Sequence, residues 1–219
     1  DRRADTSSMD WELWLAFVGA SLAISLSPGA GAIQSMATGL RHGVRRGYWS
    51  IAGLQIGLML QLALVAVGLG AIVAKSVLMF TVIKWVGVAY LVYLAIRQWR
   101  AVARDLGEDL GSAVDGGRSA LLARGFLVNM TNPKGLVFLL AVVPQFVVLT
   151  APPVPQYLAI GTTMVIVDLV VMGLYAGLAS RLLRWFRTPR QQTALNRTFS
   201  GLFATAAVVL SLVRRSAAV

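Results

Sequence analysis

Two apolar runs in this chain, each long enough to cross a bilayer, are broken by a proline among serine, asparagine and glycine. The first break is SLSPGAGAIQ, residues 25–34, and the second is NMTNPKG, residues 129–135. Non-helical backbone at membrane depth is tolerated only where protein or a water-filled cavity satisfies its polar groups. Each break therefore constrains both the path of the chain and what must surround it.

The membrane setting follows from composition. Apolar residues make up 57% of the chain, charged residues only 13%, and the mean hydropathy is +0.72. Soluble domains carry about 25% charged residues. The sequence predicts an all-α integral membrane protein with six transmembrane helices, at 11–36, 48–74, 78–96, 121–149, 157–178 and 198–213. The last is the shortest and the least secure. Trp11, Trp14, Trp49, Trp85 and Trp99 fall near run ends, where amphipathic rings favour the interface. The polar opening DRRADTSSMD is followed by no small-residue cleavage pattern, so the first run is expected to be a retained span, with Met9 a candidate start.

A net charge of +11 invites a nucleic-acid reading, but the arginines cluster between apolar runs, as in loops beside a membrane. Thirteen basic residues, from Arg41 to Arg197, follow spans one, three and five, against six on the other side. The excess marks the cytoplasmic side and sets both termini in the periplasm. Residues 98–120, with RDLGEDLGSAVDGGRS, read as a flexible cytoplasmic linker between residues 1–97 and 121–219, each a three-helix repeat. A three-span unit repeated once must insert in opposite orientations, which is the plan of many secondary transporters. Pro28 then matches Pro133, Gly53 resembles Gly161, and Gly87 resembles Gly201.

Ser27-Pro28 and Asn132-Pro133 each read as a helix N-cap followed by proline at the first helical position. A half-helix starting inside the membrane presents free N–H groups and the positive end of its dipole, which attract carboxylates. One such proline reads equally well as a packing kink. Two, capped alike and placed alike, read as a binding site. Candidate substrate-binding residues are Ser27, Pro28, Gly29, Gln34, Gln55, Asn129, Asn132, Pro133, Lys134 and Tyr175.

Asp168 is the one acidic residue well inside a span. A centred aspartate costs about 2.5–3.5 kcal/mol on insertion scales, so it faces a cavity or a partner. It can hold a substrate ammonium, carry a coupled proton, or pair with Lys134 to fix the bundle. Gln55 and Gln61 share roughly one face and either line the cavity or bond between helices. Asn129 and Asn132 satisfy local backbone, bind substrate, or do both. Tyr175, two turns after Asp168, lies within its reach. Gly53, Gly57, Gly68 and Gly70 read as close helix packing.

Enzyme chemistry lacks its parts. Cysteine is absent, and the lone His42 reads as a solvated loop residue, so neither thiol catalysis nor a metal site is expected. No P-loop or dinucleotide fingerprint is present, and no cofactor is implied.

The stretches SLSPGAGAIQSMATGLRHGVRRG, SIAGLQIGL, KWVGVAYLVYLAIRQWR, FLVNMTNPKGLVFLLAVVPQF and IVDLVVMGLYA together resemble the LysE/RhtB family of bacterial amino-acid exporters. The resemblance covers residues 11 to about 215. It implies an inner-membrane exporter of small amino acids or derivatives, driven by the proton gradient, with a homo-oligomer left open. The frequent second proline of the family's SPGP is Ala30 here. The rival class is a passive aqueous channel, and a membrane enzyme is more distant.

Overall fold

The computed structural model describes residues 11–73, 77–100, 116–148, 151–179 and 189–212. These fold into helices α1 (Trp11–Leu26), α2 (Ala30–His42), α3 (Val44–Val73), α4 (Val77–Trp99), α5 (Arg118–Met130), α6 (Pro133–Ala141), α7 (Pro153–Gly177) and α8 (Pro189–Leu212). A 3-10 turn, Val143–Phe146, follows α6. The opening segment 1–10 and residues 101–115 of the expected linker lie outside the described residues.

Both proline breaks are real bends. The axis turns by 58° between Trp14–Leu26 and Ala30–His42, and by 55° between Arg118–Met130 and Pro133–Phe146. By length and composition, Val44–Gly68 and Pro153–Gly177 can each cross a membrane alone, and the bent pairs raise the number to four. The chain is therefore an all-helical membrane protein with two broken and two continuous candidate spans; α4 and α8 stand outside that count.

Several expected boundaries move because polar residues extend helices beyond the apolar runs. The basic stretch Arg41–Arg46 is not a loop. Arg41 and half-buried His42 end α2, and α3 starts one residue later. The turn rests on Gly43 alone, whose φ of 74° suits glycine and whose N–H closes on the Gly39 carbonyl at 3.0 Å. Arg124, one of the thirteen basic residues counted toward the cytoplasmic side, lies inside α5. Gln98 and Trp99 belong to α4, and Arg118 opens α5. Helix α8 begins at Pro189, nine residues before the expected span, because PRQQTALNR is helical although not apolar. Trp85 lies well inside α4 rather than at an end.

The exterior is apolar, as a bilayer demands, while several polar side chains are buried inside. Ile166, Val170 and Leu174 form an exposed stripe along α7 at one-turn spacing, while Gln34, Ser50, Gln55, Gln61 and Asn129 are buried. Helices α3 and α5 meet backbone to backbone. A Cβ on Gly53 would lie 2.0 Å from the Leu122 carbonyl oxygen, and one on Gly125 would lie 1.9 Å from that of Ser50. Gly57 also faces α5, whereas Gly68 has nothing within 4 Å, so the close-packing expectation fails there. Helices α4 and α8 pair through Ser200 Oγ, which donates to the Ala95 carbonyl at 2.7 Å, and Gln98 Nε2, which donates to Asn196 Oδ1 at 2.8 Å.

Two apolar cores result. One joins α1, α3, α4, α6, α7 and α8 around Phe17, Leu62, Leu91, Leu139, Ile160 and Phe203. The other joins α2, α3 and α7 around Met36, Ile51, Leu54 and Met172. The polar site lies where they meet.

Candidate functional site

The first break ends α1 at Leu26, where the Ser27 N–H still bonds the Ala23 carbonyl at 3.2 Å. Proline disfavours helical geometry in the residue before it, so the chain leaves the helix at Ser27. The N-cap of α2 is then Gly29, at φ −144° and ψ −168°, with no side-chain cap. This corrects the expectation for Ser27-Pro28: Ser27 is not the cap and Pro28 is not the first helical residue. That first position belongs to Ala30, where proline is also tolerated, so the departure from SPGP leaves the helix start unchanged.

The second break matches its expectation. Asn132 is the N-cap of α6, Pro133 is its first residue, and Asn132 Oδ1 accepts from the Lys134 N–H at 3.1 Å. The Asn132 N–H bonds the Asn129 carbonyl at 2.9 Å, which closes the end of α5.

The two breaks are tied together across the bundle. Lys134 Nζ donates to the Ser27 carbonyl at 2.6 Å and the Ile24 carbonyl at 3.0 Å. Tyr175 Oη donates to the Leu26 carbonyl at 2.6 Å. Side chains from the second half thus satisfy the orphan carbonyls that close α1, and an ammonium suits the negative end of a helix. Gln61 Nε2 does the same for α5, donating to the Asn129 and Met130 carbonyls at 3.1 and 3.4 Å. Lys134 therefore does not bond Asp168, and Tyr175 bonds α1 instead of Asp168.

Asp168 is held from two helices. Ser25 Oγ donates to Oδ1 at 3.0 Å, and Gln55 Nε2 donates to Oδ2 at 2.6 Å. Gln55 and Gln61 thus part company, one serving the carboxylate and the other a helix end. Asn129 Nδ2 donates to the Leu54 carbonyl at 2.6 Å.

Ser27, Gly29, Asn129, Asn132, Lys134 and Asp168 line one cavity of about 80 Å³. A water needs roughly 10–15 Å³ by this measure, so the space takes roughly five to eight waters, or a solute of similar heavy-atom number. Leu54, Leu58, Phe138, Met164 and Met172 supply its apolar wall. Pro28, Pro133, Gln55 and Tyr175 are not among the lining residues. Gln34 does not belong to it: its Nε2 donates to Ser50 Oγ at 3.2 Å and its Oε1 accepts from Arg124 Nε at 3.0 Å. Sequence reasoning missed Ser21 and Ser25, which also line the cavity. Their spacing of four within an apolar run is the signal that marks one polar face of α1. The hydroxyls of Ser21 and Ser27 are buried without a partner. Among the described residues, no cluster of His, Cys, Asp or Glu is placed to hold a metal.

An all-helical bundle whose two broken helices meet at a cavity lined by charged, polar and apolar side chains has the build of a membrane translocator, since such backbone is kept only where it lines a path or site. The chain belongs to the LysE type translocator family, whose model matches residues 22–213. It is thus a transporter of the bacterial efflux kind and not an enzyme. It is 44% identical to the homoserine/homoserine lactone efflux protein of Salmonella typhimurium over 95% of this chain and 100% of that protein. It is 41% identical to an uncharacterized membrane protein of Vibrio cholerae over 94% of this chain and all of that one. A leucine efflux protein of Enterobacter sp. is 26% identical over 86% of this chain and 89% of its own length. No solved structure matches the chain.

Proposed function

We propose that this protein is a secondary active exporter of small amino acids and their derivatives, homoserine and homoserine lactone foremost, coupled to protons across the bacterial inner membrane. The single observation that carries the reading is a cavity with two opposite poles. At one pole lie the uncapped start of α2, the unpartnered Ser27 hydroxyl and Lys134 Nζ, only 3.7 Å from where a Gly29 Cβ would sit. At the other lies Asp168. Homoserine matches both, its carboxylate at the helix start and its ammonium toward the aspartate, and the lactone, which has no carboxylate, offers its carbonyl oxygen to the helix start instead. Asp168 takes up a proton in exchange for the substrate. The relative that shares 44% of its residues is an efflux protein for homoserine and its lactone, which supports that substrate class.

The fold we assign is six spans in two inverted repeats, with α4 and α8 as spans three and six and both termini periplasmic. Exchange of packing partners between the halves supports it. Continuous α3 lies on the first half-helix of the second repeat, α5, and continuous α7 lies across both half-helices of the first, α1 and α2. Helices α4 and α8 pair with each other, as a two-fold axis between the repeats requires.

Counterflow of labelled homoserine into proteoliposomes tests the carrier reading, and a passive channel gives none. Asp168→Asn keeps the size of the side chain but cannot carry a titrating negative charge. The variant is expected to show weakened homoserine–homoserine exchange, because the ammonium loses its charged partner, and to lose uphill transport driven by a pH gradient altogether. Loss of both in equal measure would assign Asp168 to the ammonium alone, and loss of neither would remove it from the site. A reporter within residues 101–115 is expected in the cytoplasm, and one found outside overturns the orientation.

A further inference from the structure

Beside the first turn of α6 lies a niche that the two-pole picture leaves unused. The nearest three atoms around a Cβ built on Gly135 are all polar: Asn129 Oδ1 at 3.6 Å, Gln61 Oε1 at 3.8 Å and Asn132 Nδ2 at 3.9 Å. They come from α5, α3 and the second break. Amide orientation is often ambiguous, but here each is fixed by a bond to backbone. Asn129 Nδ2 is spent on the Leu54 carbonyl, Gln61 Nε2 on the end of α5, and Asn132 Oδ1 on the Lys134 N–H. Each amide uses one end on the protein and turns the other toward the same small space. Gln61 Oε1 has no partner, on a side chain only 2% exposed. Gly135, Asn129 and Asn132 line the cavity that holds Asp168; Gln61 does not, so its oxygen is reached only past these residues.

Two acceptors and one donor around one point match a group that both donates and accepts. The geometry points to a subsite for the side-chain hydroxyl of the substrate, with Gly135 keeping the space open and Gln61, Asn129 and Asn132 reading the hydroxyl. It donates to Gln61 Oε1 or Asn129 Oδ1 and accepts from Asn132 Nδ2. A carboxylate is excluded by the acceptors, and an alkyl group leaves the buried amides unpaired. This inference rests on the exporter reading and names what makes the site select a hydroxylated amino acid over an aliphatic one of equal length.

The test compares counterflow of homoserine with that of 2-aminobutyrate, the same skeleton without the hydroxyl. The wild-type protein is expected to favour homoserine about fivefold in apparent affinity, within the worth of one net hydrogen bond. Gly135→Ala puts a methyl group in the niche at ordinary contact distances, and alanine suits a helix, so the fold is preserved. The variant is expected to bring the homoserine to 2-aminobutyrate ratio close to one. Asn132→Asp keeps the cap on α6 while replacing the donor by an acceptor, and is expected to lower the ratio as well. An unchanged ratio in both variants, or a wild type that treats the two amino acids alike, overturns the subsite and leaves the niche to a bound water. Transport of neither compound by the wild type overturns the exporter reading itself.

Discussion

The two helix breaks look alike in sequence and are built differently. The second has a local cap: Asn132 caps α6 and its N–H closes α5, with Gln61 of α3 adding a donor to the same end. The first has no local cap. Gly29 offers α2 no side chain, and the carbonyls ending α1 are satisfied by Lys134 and Tyr175 from the other half. The second break is thus a rigid fitting that lends a lysine. The first is held in shape from a distance, with its helix start left open for a ligand. A transporter needs both, a fixed reference and an element whose bonds can be exchanged.

The largest effect expected from this difference is that of Lys134→Met. Methionine keeps the apolar stem but leaves the Ser27 and Ile24 carbonyls without their donor. An unsatisfied buried group costs about 1–3 kcal/mol. Export is expected to fall by roughly two orders of magnitude, since two such losses correspond to a factor of that size or more. The melting temperature in detergent should fall with it. Lys134→Arg, which keeps the charge but changes the reach, should recover part of both. Normal homoserine counterflow in Lys134→Met would break the claim that one half holds the other.

How far the sequence shows this depends on the range of each interaction. Pro28 and Pro133 mark the breaks because proline acts on its immediate neighbours. Asp168 stands out because a lone carboxylate in an apolar run requires a partner. The cap at Asn132 is legible, but the same pattern misleads at Ser27, because S-P-G allows glycine to take the cap and the sequence does not say which residue turns first. The Lys134 contact with α1 spans more than a hundred positions, and no local rule anticipates it. Nor does hydropathy show that the polar opening of α8 is helical, or that Gln34 turns to Ser50 and Arg124 instead of the cavity. Local geometry was readable; the pairing of halves was not.

The prolines sharpen the comparison at intermediate size. Pro28→Ala frees Ser27 to stay helical, so α1 can continue and draw its end carbonyls away from Lys134 and Tyr175. Export is expected to drop about tenfold, the equivalent of roughly 1.4 kcal/mol. Pro133→Ala changes a first helical position whose N–H is unpaired in any case, and the Asn132 cap remains. Its counterflow rate should stay within about twofold of wild type, well under 1 kcal/mol. The opposite ranking would mean that the second break, not the first, is the exchangeable one.

The smallest effects carry opposite signs at the two breaks. Asn132→Ala removes a side chain whose oxygen is bonded, and loss of such a cap costs about 1 kcal/mol. Its melting temperature should fall. Ser27→Ala removes a hydroxyl that is buried, only 3% exposed, and has no protein partner among the described residues. An unpaired buried hydroxyl opposes folding, so its removal should leave the melting temperature level or slightly raised. If that hydroxyl waits for the substrate carboxylate, the same change should weaken homoserine binding about tenfold, since hydrogen bonds to charged groups contribute about 1.5–3 kcal/mol. Thermal melts with and without homoserine separate the two: Ser27→Ala should lose part of the ligand-induced stabilisation while the apo protein loses nothing. A variant whose apo form melts lower and whose ligand shift is intact would make Ser27 a structural residue, and the open first break would then bind through the α2 backbone alone.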